Sequence, residues 1–399
     1  MSEEITIEEK GFQTGSVATI SSAHAIHDTY TGFLPSLLPV LIDKFSLTNT
    51  AAGLLSVFVQ IPSLIQPVIG FLADHHNFKW MVILTPAITG AAMSLLGIAP
   101  NYGFLLLLML IAGFSSAALH AVGPGLGSNH SGTKLGRGMS FWMVAGEMGR
   151  ALGPLVVVSS IGFLTLEGLP WLMLGGIIAS VFLYTKLGTI TTSSQVAKTK
   201  DVNWRNALAS MRKILVPVSI LIFTRSLVTS ALSTYLPTFL TRQGATLWMA
   251  GASLTILEIA GMAGAFLAGA LSDRFGRRRM LLISFTATPL FLVLFIYAKD
   301  LWRFPLLVLL GFFAISIAPV IMAIVMENAG NNRFFANGIY MAVSFVLHAL
   351  TILLVGLLSD LLDLRLTFLI SALFVPLGLP AILLLPKSNH SDNKKLSNN

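Results

Sequence analysis

The sequence predicts an all-α polytopic membrane protein with twelve transmembrane helices in two six-helix, pseudo-symmetric halves. Of its 399 residues, 55% are hydrophobic and only 11% are charged, whereas about a quarter of a soluble chain is charged. Long apolar stretches alternate with short polar segments. The two halves of the chain also align with each other at an offset of about 198 residues, the separation of Leu38 from Leu236. These three observations together predict the fold class.

A helix that crosses the hydrocarbon core needs about 20 mainly apolar residues. Stretches of that kind occur at residues 16–42, 50–73, 80–98, 103–126, 137–163, 170–188, 214–240, 247–272, 279–298, 303–327, 335–359 and 365–386. Because the number of spans is even, both termini are expected on the same side of the membrane.

The Lys and Arg residues predict which side that is. Most of the 25 lie in the two tails and in the loops on the side of the termini, and such residues concentrate in cytoplasmic loops. We therefore expect a cytoplasmic tail at 1–15, a first half at 16–188, a cytoplasmic central loop at 189–213, a second half at 214–386 and a cytoplasmic tail at 387–399.

The composition also excludes several classes of protein. The chain has no cysteine, which excludes disulfides and thiolate chemistry. It shows no phosphate-binding Gly-x-x-x-x-Gly-Lys loop and no nucleotide fingerprint, so no cofactor is expected. We expect no metal site, because the adjacent His75 and His76 have no acidic neighbour except Asp74. The net charge of +8 comes from the loops, so no nucleic-acid partner is expected, and no nucleophile is paired with a base as in an enzyme.

The repeat is carried by several short matches. "LPVLI" at 38–42 aligns with "LPTFL" at 236–240, and "AAGLLSVFVQ" at 51–60 aligns with "MAGASLTILE" at 249–258. Parallel repeats of this kind occur in transporters, where the substrate site lies near the membrane midplane between the halves.

A basic loop motif occurs once in each half. "GALSDRFGRRR" at 269–279 resembles the signature G-x-L-x-D-R-x-G-R-R/K of the major facilitator superfamily, and "GFLADHHNFKW" at 70–80 is an incomplete copy. The resemblance implies a gating loop formed by Gly70, Asp74, Gly269, Asp273, Arg274, Gly276, Arg277 and Arg278. Its ion pairs would form in one conformational state and break in another. The alternative is that these arginines only reflect the cytoplasmic bias of basic residues.

Three further stretches narrow the resemblance. "AHAIHDTYTGFLP" in the first span, "QPVIGFLAD" before the first loop and "GFSSAALHAVGP" in the fourth span are similar to the fosmidomycin-resistance group of bacterial efflux proteins. The departures are Ala121 where the group has Pro, and His27 where it has Asn.

The resemblance implies a proton-coupled secondary active transporter of the bacterial inner membrane. It would work by alternating access as a monomer, with the lipid bilayer, protons and a small-molecule substrate as its partners. Export of a small drug-like or anionic compound in exchange for protons is expected. The alternatives are proton-coupled import of an organic anion and a non-transporting membrane sensor.

Ionisable residues inside the spans are the candidate site, because each costs roughly 2.5–3.5 kcal/mol at the centre of a membrane helix unless it faces water or a partner. His24 and Asp28 are four residues apart, so they share a helix face. We expect Asp28, Glu258 and His24 to carry protons. The alternative for His24 is that it only orients the acid.

The candidates for substrate contact follow from the free-energy cost of an ionisable residue inside a membrane helix and from the repeat of the two halves. They are Arg225, His27, His120, Gln60, Glu147, Arg150 and His348. The offset aligns His27 with Arg225 and Gln60 with Glu258. Arg225 is suited to a carboxylate or phosphonate, or it pairs internally with Asp28 or Glu258. Glu147 and Arg150 either neutralise each other or line the cavity.

The fifth span contains a face of small residues. Gly146, Gly149 and Gly153 lie on one side of the predicted helix, and Pro154 follows. Such a face permits close helix packing. It matches the tail of the glycine-proline signature of antiporters in the superfamily, and ordinary glycine packing is the alternative.

Overall fold

The computed structural model describes residues 11–132, 134–188, 204–328 and 333–385. Within these ranges the regular structure is entirely helical. The α-helices are α1 Thr14–Thr31, α2 Phe33–Phe45, α3 Asn49–Gln60, α4 Gln66–His75, α5 Lys79–Ser94, α6 Tyr102–Asn129, α7 Leu135–Leu164, α8 Met173–Leu187, α9 Trp204–Thr241, α10 Leu247–Phe275, α11 Arg277–Tyr297, α12 Arg303–Ile315, α13 Ala318–Glu327, α14 Arg333–Leu361, α15 Leu364–Phe374 and α16 Leu379–Leu384.

Eleven helical segments of the described chain are long and apolar enough to cross a membrane. They are Asn49–Ala73, Lys79–Ile98, Tyr102–Asn129, Leu135–Leu164, Leu169–Leu187, Met211–Thr241, Leu247–Phe275, Arg277–Tyr297, Arg303–Glu327, Gly338–Leu361 and Leu364–Leu384. Each overlaps one of the predicted spans, and the all-helical membrane fold is confirmed.

The first predicted span, 16–42, differs from the other eleven. It consists of α1 and α2, which are separate helices on either side of Gly32. The 13 residues of α2 are too few to cross a membrane alone, since a span needs about 20. The apolar character of α1 is reduced by its hydroxyl, imidazole and carboxylate side chains, several of which are buried against protein.

The described residues divide into two compact units. One lies within Met1–Val40 and Leu55–Lys198, and the other within Leu41–Leu54 and Thr199–Asn399. The segment Leu41–Leu54 therefore packs with the second unit, although it precedes most of the first in sequence. This segment contains the end of α2 and the beginning of α3.

The contact of that segment with α14 is polar. The Asp360 carboxylate accepts hydrogen bonds from the backbone N–H groups of Asn49 at 2.7 Å and Thr50 at 2.9 Å. Tyr235 of α9 donates its phenol hydrogen to the Asn49 carbonyl at 3.1 Å. A carboxylate at the first turn satisfies N–H groups that have no partner inside the helix. Asp360 therefore holds the start of α3 in the second unit.

Close packing between α1 and α7 shapes the interior of the first unit. A Cβ at Gly149 would lie 2.1 Å from the Ala25 carbonyl oxygen, and one at Gly153 would lie 2.4 Å from that of Thr29. The small residues of α7 therefore face α1, and the two backbones approach as closely as glycine permits.

A similar crossing occurs in the second unit between α10 and α12. A Cβ at Gly311 would lie 2.1 Å from the Leu257 carbonyl oxygen, and one at Gly264 would lie 2.4 Å from that of Phe312. Each unit thus contains a helix pair in which glycine is required by contact with a neighbouring backbone.

Candidate functional site

The polar face of α1 is the centre of the candidate site in the first unit. His24, His27 and Asp28 are exposed by only 5%, 0% and 8%. They share a face because residues three and four apart are neighbours on a helix. Burial of three ionisable groups in one place requires partners from the surrounding helices.

His24 is held between Asp28 and α7. Its Nδ1 lies 2.9 Å from the Trp142 carbonyl oxygen, and its Nε2 lies 3.3 Å from Asp28 Oδ2. The imidazole stacks on the Trp142 indole at a centroid distance of 4.0 Å. A Cβ at Gly146 would lie 2.3 Å from the His24 ring, so this glycine makes room for the imidazole.

His27 faces the other side of Asp28. Its Nδ1 lies 2.9 Å from Thr89 Oγ1 of α5, and the Thr89 hydroxyl in turn donates to Ser115 Oγ of α6 at 2.9 Å. The Nε2 atom lies 3.7 Å from Asp28 Oδ1. This Nε2 is buried and has no hydrogen-bond partner among the described residues.

His120 reaches the same place from α6. Its Nδ1 lies 3.0 Å from the Ser116 carbonyl oxygen, and its ring lies 5.0 Å from that of His24 and 5.8 Å from that of His27. The possible ligand atoms of His24, Asp28 and His120 all lie within 4.8 Å of one another. We call His24, His27, Asp28 and His120 the histidine–aspartate cluster.

The cluster joins candidates that the sequence had assigned to different roles. Asp28 and His24 were predicted proton carriers, and His27 and His120 were predicted substrate contacts. Trp142, Thr89 and Ser115 were not predicted, because the sequence pattern that marks them as site residues is weak. Thr85 and Thr89 are four residues apart and so share a face of α5, but hydroxyl pairs of that kind are common in membrane helices.

Glu147 and Arg150 form an ion pair on α7. Their side chains are exposed by 29% and 44%, respectively. Of the two alternatives for this pair, local neutralisation is the one whose geometry is present in the structure. The three-residue spacing that suggested it places both groups on one face of the helix.

Arg225 is the main charged candidate of the second unit. It is half-buried on α9 and donates from Nη1 to the Ala314 carbonyl oxygen at 2.9 Å. Its Nε is buried without a hydrogen-bond partner in the described chain.

The remaining candidates are Glu258 and His348 in the second unit and Gln60 in the first. Glu258 is buried on α10. His348 on α14 hydrogen-bonds through Nδ1 to Ser230 Oγ at 3.1 Å. Gln60 closes α3 and donates to the Ser56 carbonyl oxygen at 3.2 Å, while its Oε1 is buried without a partner among the described residues.

The second loop motif forms an ion-pair group. Arg277 lies 2.6 Å from Asp273 Oδ1 and 2.8 Å from Glu327 Oε1 at the end of α13. Arg278 donates to the Leu383 carbonyl oxygen at 3.1 Å. Gly276 has a φ of +95°, a conformation that favours glycine. Sequence reasoning had not identified Glu327.

The other motif residues carry less information. Gly269 has no atom near its Cβ position, and Arg274 lies over the Phe275 ring, with 5.5 Å between its Cζ and the ring centroid. In the first copy, Gly70 is also open at its Cβ position. The side chain of Asp74 lies outside what the structure describes, so its predicted pairing stays a prediction.

An apolar groove runs between α1 and α7 in the first unit. It has a volume of about 490 Å³ and is lined by Ala18, Ser21, Ser22, Ala25, Ser140, Phe141, Val144, Ala145 and Met148. None of the histidine–aspartate cluster lines it. The first unit thus presents an apolar groove on α1 and α7 and a separate buried polar cluster on α1 and α6.

Comparison with known proteins identifies the family. The Major Facilitator Superfamily model matches residues 20–272 and 251–398. The chain is 26% identical over 383 residues to the fosmidomycin resistance protein of Escherichia coli (strain K12), covering 95% of this chain and 94% of that protein. It is also 26% identical over 375 residues to the MFS-type transporter YfnC of Bacillus subtilis (strain 168), covering 92% and 91%.

Solved structures agree on the fold. A bacterial homolog of the human lysosomal transporter Spinster matches with a TM-score of 0.78 and 14% identity, covering 94% of this chain and 97% of that one. The helices and their buried charges define a multi-pass membrane transporter rather than an enzyme. The chain belongs to the Major Facilitator Superfamily, and the predicted resemblance is confirmed.

Proposed function

We propose that this protein is a proton-coupled secondary active transporter that exports a small drug-like or anionic compound in exchange for protons. It works by alternating access as a monomer in the bacterial inner membrane, with both termini in the cytoplasm. The name of the Escherichia coli relative supports export of an inhibitor. The positive-inside distribution of Lys and Arg supports the orientation.

The observation that carries the coupling proposal is the burial of Asp28 among three imidazoles. His24 and His27 lie 3.3 Å and 3.7 Å from its carboxylate, and His120 lies within 4.8 Å. Imidazole exchanges protons near neutral pH. A buried carboxylate surrounded by imidazoles therefore takes up and releases protons as water gains and loses access to it. Asp28 and His24 carry the protons, and Glu258 is the second carrier.

The observation that supports an anionic substrate is the state of Arg225. Its guanidinium is satisfied by a single backbone carbonyl in the described chain, and its Nε is unpartnered. A guanidinium offers a planar fork of donors to a carboxylate or phosphonate. Arg225 binds the acidic group, and His27, His120, Gln60, Glu147, Arg150 and His348 provide the other polar contacts. The apolar groove suits the rest of an amphiphilic compound.

The ion pairs of Arg277 act as the gate at the cytoplasmic ends of the helices. Arg277 joins Asp273 to Glu327, and such pairs are weak enough individually to break during a conformational change. The glycine face of α7 supports exchange rather than leak, because at Gly149 and Gly153 its backbone packs directly against that of α1.

The test is transport by the purified protein in liposomes with an imposed pH gradient. Phosphonates, organic acids and common drugs are screened as substrates. In vesicles with an acidic lumen, exchange for protons drives substrate inward, so accumulation there is expected. Accumulation only in vesicles with an alkaline lumen would show symport, and flux independent of the gradient would refute proton coupling.

Matched variants identify the groups responsible. Arg225→Gln is expected to reduce the apparent affinity for anionic substrates by at least tenfold. Asp43→Asn, which removes an exposed charge at the end of α2, is expected to transport like the unmodified protein. If anionic and neutral substrates each bind Arg225→Gln as tightly as they bind the unmodified protein, Arg225 is not part of the substrate site.

A further inference from the structure

The hydrogen bonds of the histidine–aspartate cluster fix where its imidazole protons are. His24 Nδ1 faces the Trp142 carbonyl oxygen at 2.9 Å, and His120 Nδ1 faces the Ser116 carbonyl oxygen at 3.0 Å. A carbonyl oxygen only accepts, so each Nδ1 carries the hydrogen. In a neutral imidazole the other nitrogen is then bare, whereas in an imidazolium it carries a second hydrogen. The Nε2 atoms of His24 and His120 therefore present lone pairs whenever these rings are neutral.

The same holds for His27, through a chain of hydroxyl groups. His27 Nδ1 bonds to Thr89 Oγ1, Thr89 donates to Ser115 Oγ, and Ser115 donates to the Thr85 carbonyl oxygen at 3.4 Å. Because the chain ends on an acceptor, every hydrogen in it points away from His27. The His27 Nε2 is thus bare, fully buried and without a hydrogen-bond partner in the described chain.

When the imidazoles are neutral, several hydrogen-bond acceptors of the described chain therefore face one buried place. The bare ring nitrogens from α1 and α6 and the two oxygens of Asp28 lie close together. Acceptor groups that face each other out of water need a proton, a hydrogen-bond donor or a metal cation between them. A metal cation is one group that meets this requirement.

We propose that His24, Asp28 and His120 bind a divalent first-row transition metal ion, with Zn²⁺ the best match and His27 able to supply a further nitrogen. Nitrogen and carboxylate ligands in this ratio suit Zn²⁺, Co²⁺ and Ni²⁺, whereas Mg²⁺ and Ca²⁺ prefer oxygen alone. This site uses residues to which proton exchange and substrate contact are assigned above, so the metal ion competes with protons and substrate for them, and its test does not depend on transport.

Two geometric features support the assignment. Zinc bonds of about 2.0–2.1 Å in a tetrahedron place neighbouring ligand atoms roughly 3.3 Å apart, and His24 Nε2 lies 3.3 Å from Asp28 Oδ2. The ligand atoms of the third residue lie within 4.8 Å, so an approach of at most about 1.5 Å brings them to this tetrahedral spacing. Metal-binding histidines also donate their second ring hydrogen to a carbonyl or carboxylate, as His24 and His120 do here.

No sequence motif indicates this site, because Asp28 and His24 belong to α1 and His120 to α6. The adjacent His75 and His76, which sequence inspection considers first, lie at the end of α4.

The test is direct metal binding to the full-length protein in detergent or lipid nanodiscs, with no transport step. Metal-free protein is titrated with Co²⁺ and followed by visible absorption, because tetrahedral Co²⁺ absorbs strongly there, and then with competing Zn²⁺. We expect one ion per chain. Fluorescence of Trp142, whose ring stacks on His24, is expected to change in the same titration.

Substitutions distinguish this cluster from adventitious binding. His24→Gln, Asp28→Asn and His120→Gln are each expected to weaken metal affinity about 10- to 100-fold or more. His130→Gln is the matched control. His130 is a buried histidine outside the cluster, and its Nδ1 lies 2.8 Å from the Leu126 carbonyl oxygen. This variant and the double replacement of His75 and His76 by alanine are expected to bind metal normally.

If a variant is less stable, the effect of Zn²⁺ on its thermal unfolding still shows whether it binds the metal. Zn²⁺ is expected to raise the Tm of the unmodified protein and of His130→Gln, but not that of His120→Gln. The proposal is overturned if the unmodified protein binds no metal, or if the His24 and His120 variants retain its affinity. Either result leaves the transport proposal standing, since that is measured with substrate and a pH gradient.

Discussion

The two units treat buried ionisable groups in different ways. In the first unit, α1 and α6 bring three imidazoles around one carboxylate, and α5 and α7 supply the outer hydrogen-bond partners. In the second unit, Arg225 is bonded to a backbone carbonyl of α12 and His348 to a hydroxyl of α9. One unit concentrates its polar groups and the other distributes them.

This difference determines how each unit responds to change. A substitution in the histidine–aspartate cluster alters the surroundings of every other member, because they share Asp28. A substitution at Arg225 or His348 affects its own partner. Groups in one network behave non-additively, and independent groups behave additively.

The largest expected effect is loss of gradient-driven transport in Asp28→Asn. The amide removes the only carboxylate of the cluster, so protons lose their common acceptor. We expect a decrease in flux of at least about 100-fold, or roughly 2.7 kcal/mol at about 1.36 kcal/mol per factor of ten. The measurement is substrate accumulation in proteoliposomes, with Asp43→Asn as the control. Accumulation above one-tenth of normal would contradict the coupling role of Asp28.

The next effect is on stability, at the α1–α7 crossing that holds the cluster. Gly149→Ala introduces a Cβ at 2.1 Å from the Ala25 carbonyl oxygen, and overpacking of this kind costs about 1–3 kcal/mol or more. A lower Tm in detergent is expected. Gly162→Ala on the same helix meets nothing within 4 Å and is expected to leave the Tm unchanged.

A glycine-to-alanine substitution also tests the close helix crossing of the second unit. Gly311→Ala places a Cβ 2.1 Å from the Leu257 carbonyl oxygen, so it is expected to lower the Tm by a similar amount. The contrast between the units therefore applies to their polar groups and not to their helix crossings. If Gly149→Ala and Gly162→Ala melted at the same temperature, the close backbone contact would be refuted.

A smaller effect, on the free energy of unfolding, directly measures the contrast between the polar groups of the two units. In a double-mutant cycle on unfolding, His24→Gln and His120→Gln are expected to couple by about 0.5–3 kcal/mol, because their rings lie 5.0 Å apart beside the same carboxylate. Arg225 and His348 hydrogen-bond to different groups, the Ala314 carbonyl and the Ser230 hydroxyl, so Arg225→Gln and His348→Gln are expected to add within roughly 0.5 kcal/mol. Additivity in both units would show that the cluster does not act as a network.

The smallest expected effect concerns the ion pairs of Arg277. Its partners Asp273 and Glu327 are about half exposed, with side-chain exposures of 63% and 48%, and exposed pairs contribute about 0.2–1 kcal/mol. Arg277→Gln is expected to change stability within that range, while transport rates change because the gate is altered. Exchanging the charges of Arg277 and Glu327 is expected to recover part of the rate. No change in rate in either variant would exclude gating by this pair.

Prediction from sequence succeeded wherever the signal was local. The apolar stretches of about 20 residues matched eleven helical segments, and the i, i+4 spacing of His24 and Asp28 placed them in contact. The same spacing brought Asp273 to Arg277. These features need only the rise and period of a helix, which every segment carries in its own residues.

It failed wherever two helices had to be placed against each other. The contact of His120 with His24, the bond from His24 to the Trp142 carbonyl and the bond from Arg277 to Glu327 join residues that are distant in the chain. The segment Leu41–Leu54 was expected in the first half, yet it packs with the second unit through Asp360. Nothing in a single helix specifies these contacts.

The sequence alone therefore determined that this chain is a helical membrane protein of the major facilitator type, because hydropathy and motif spacing are read along one dimension. Only the tertiary structure decided which buried groups meet. The rotation and depth of each helix are set by side-chain packing between helices, and by glycines such as Gly146 that leave room for the His24 ring. Packing of that kind brought His120 of α6 to the three ionisable residues that share a face of α1.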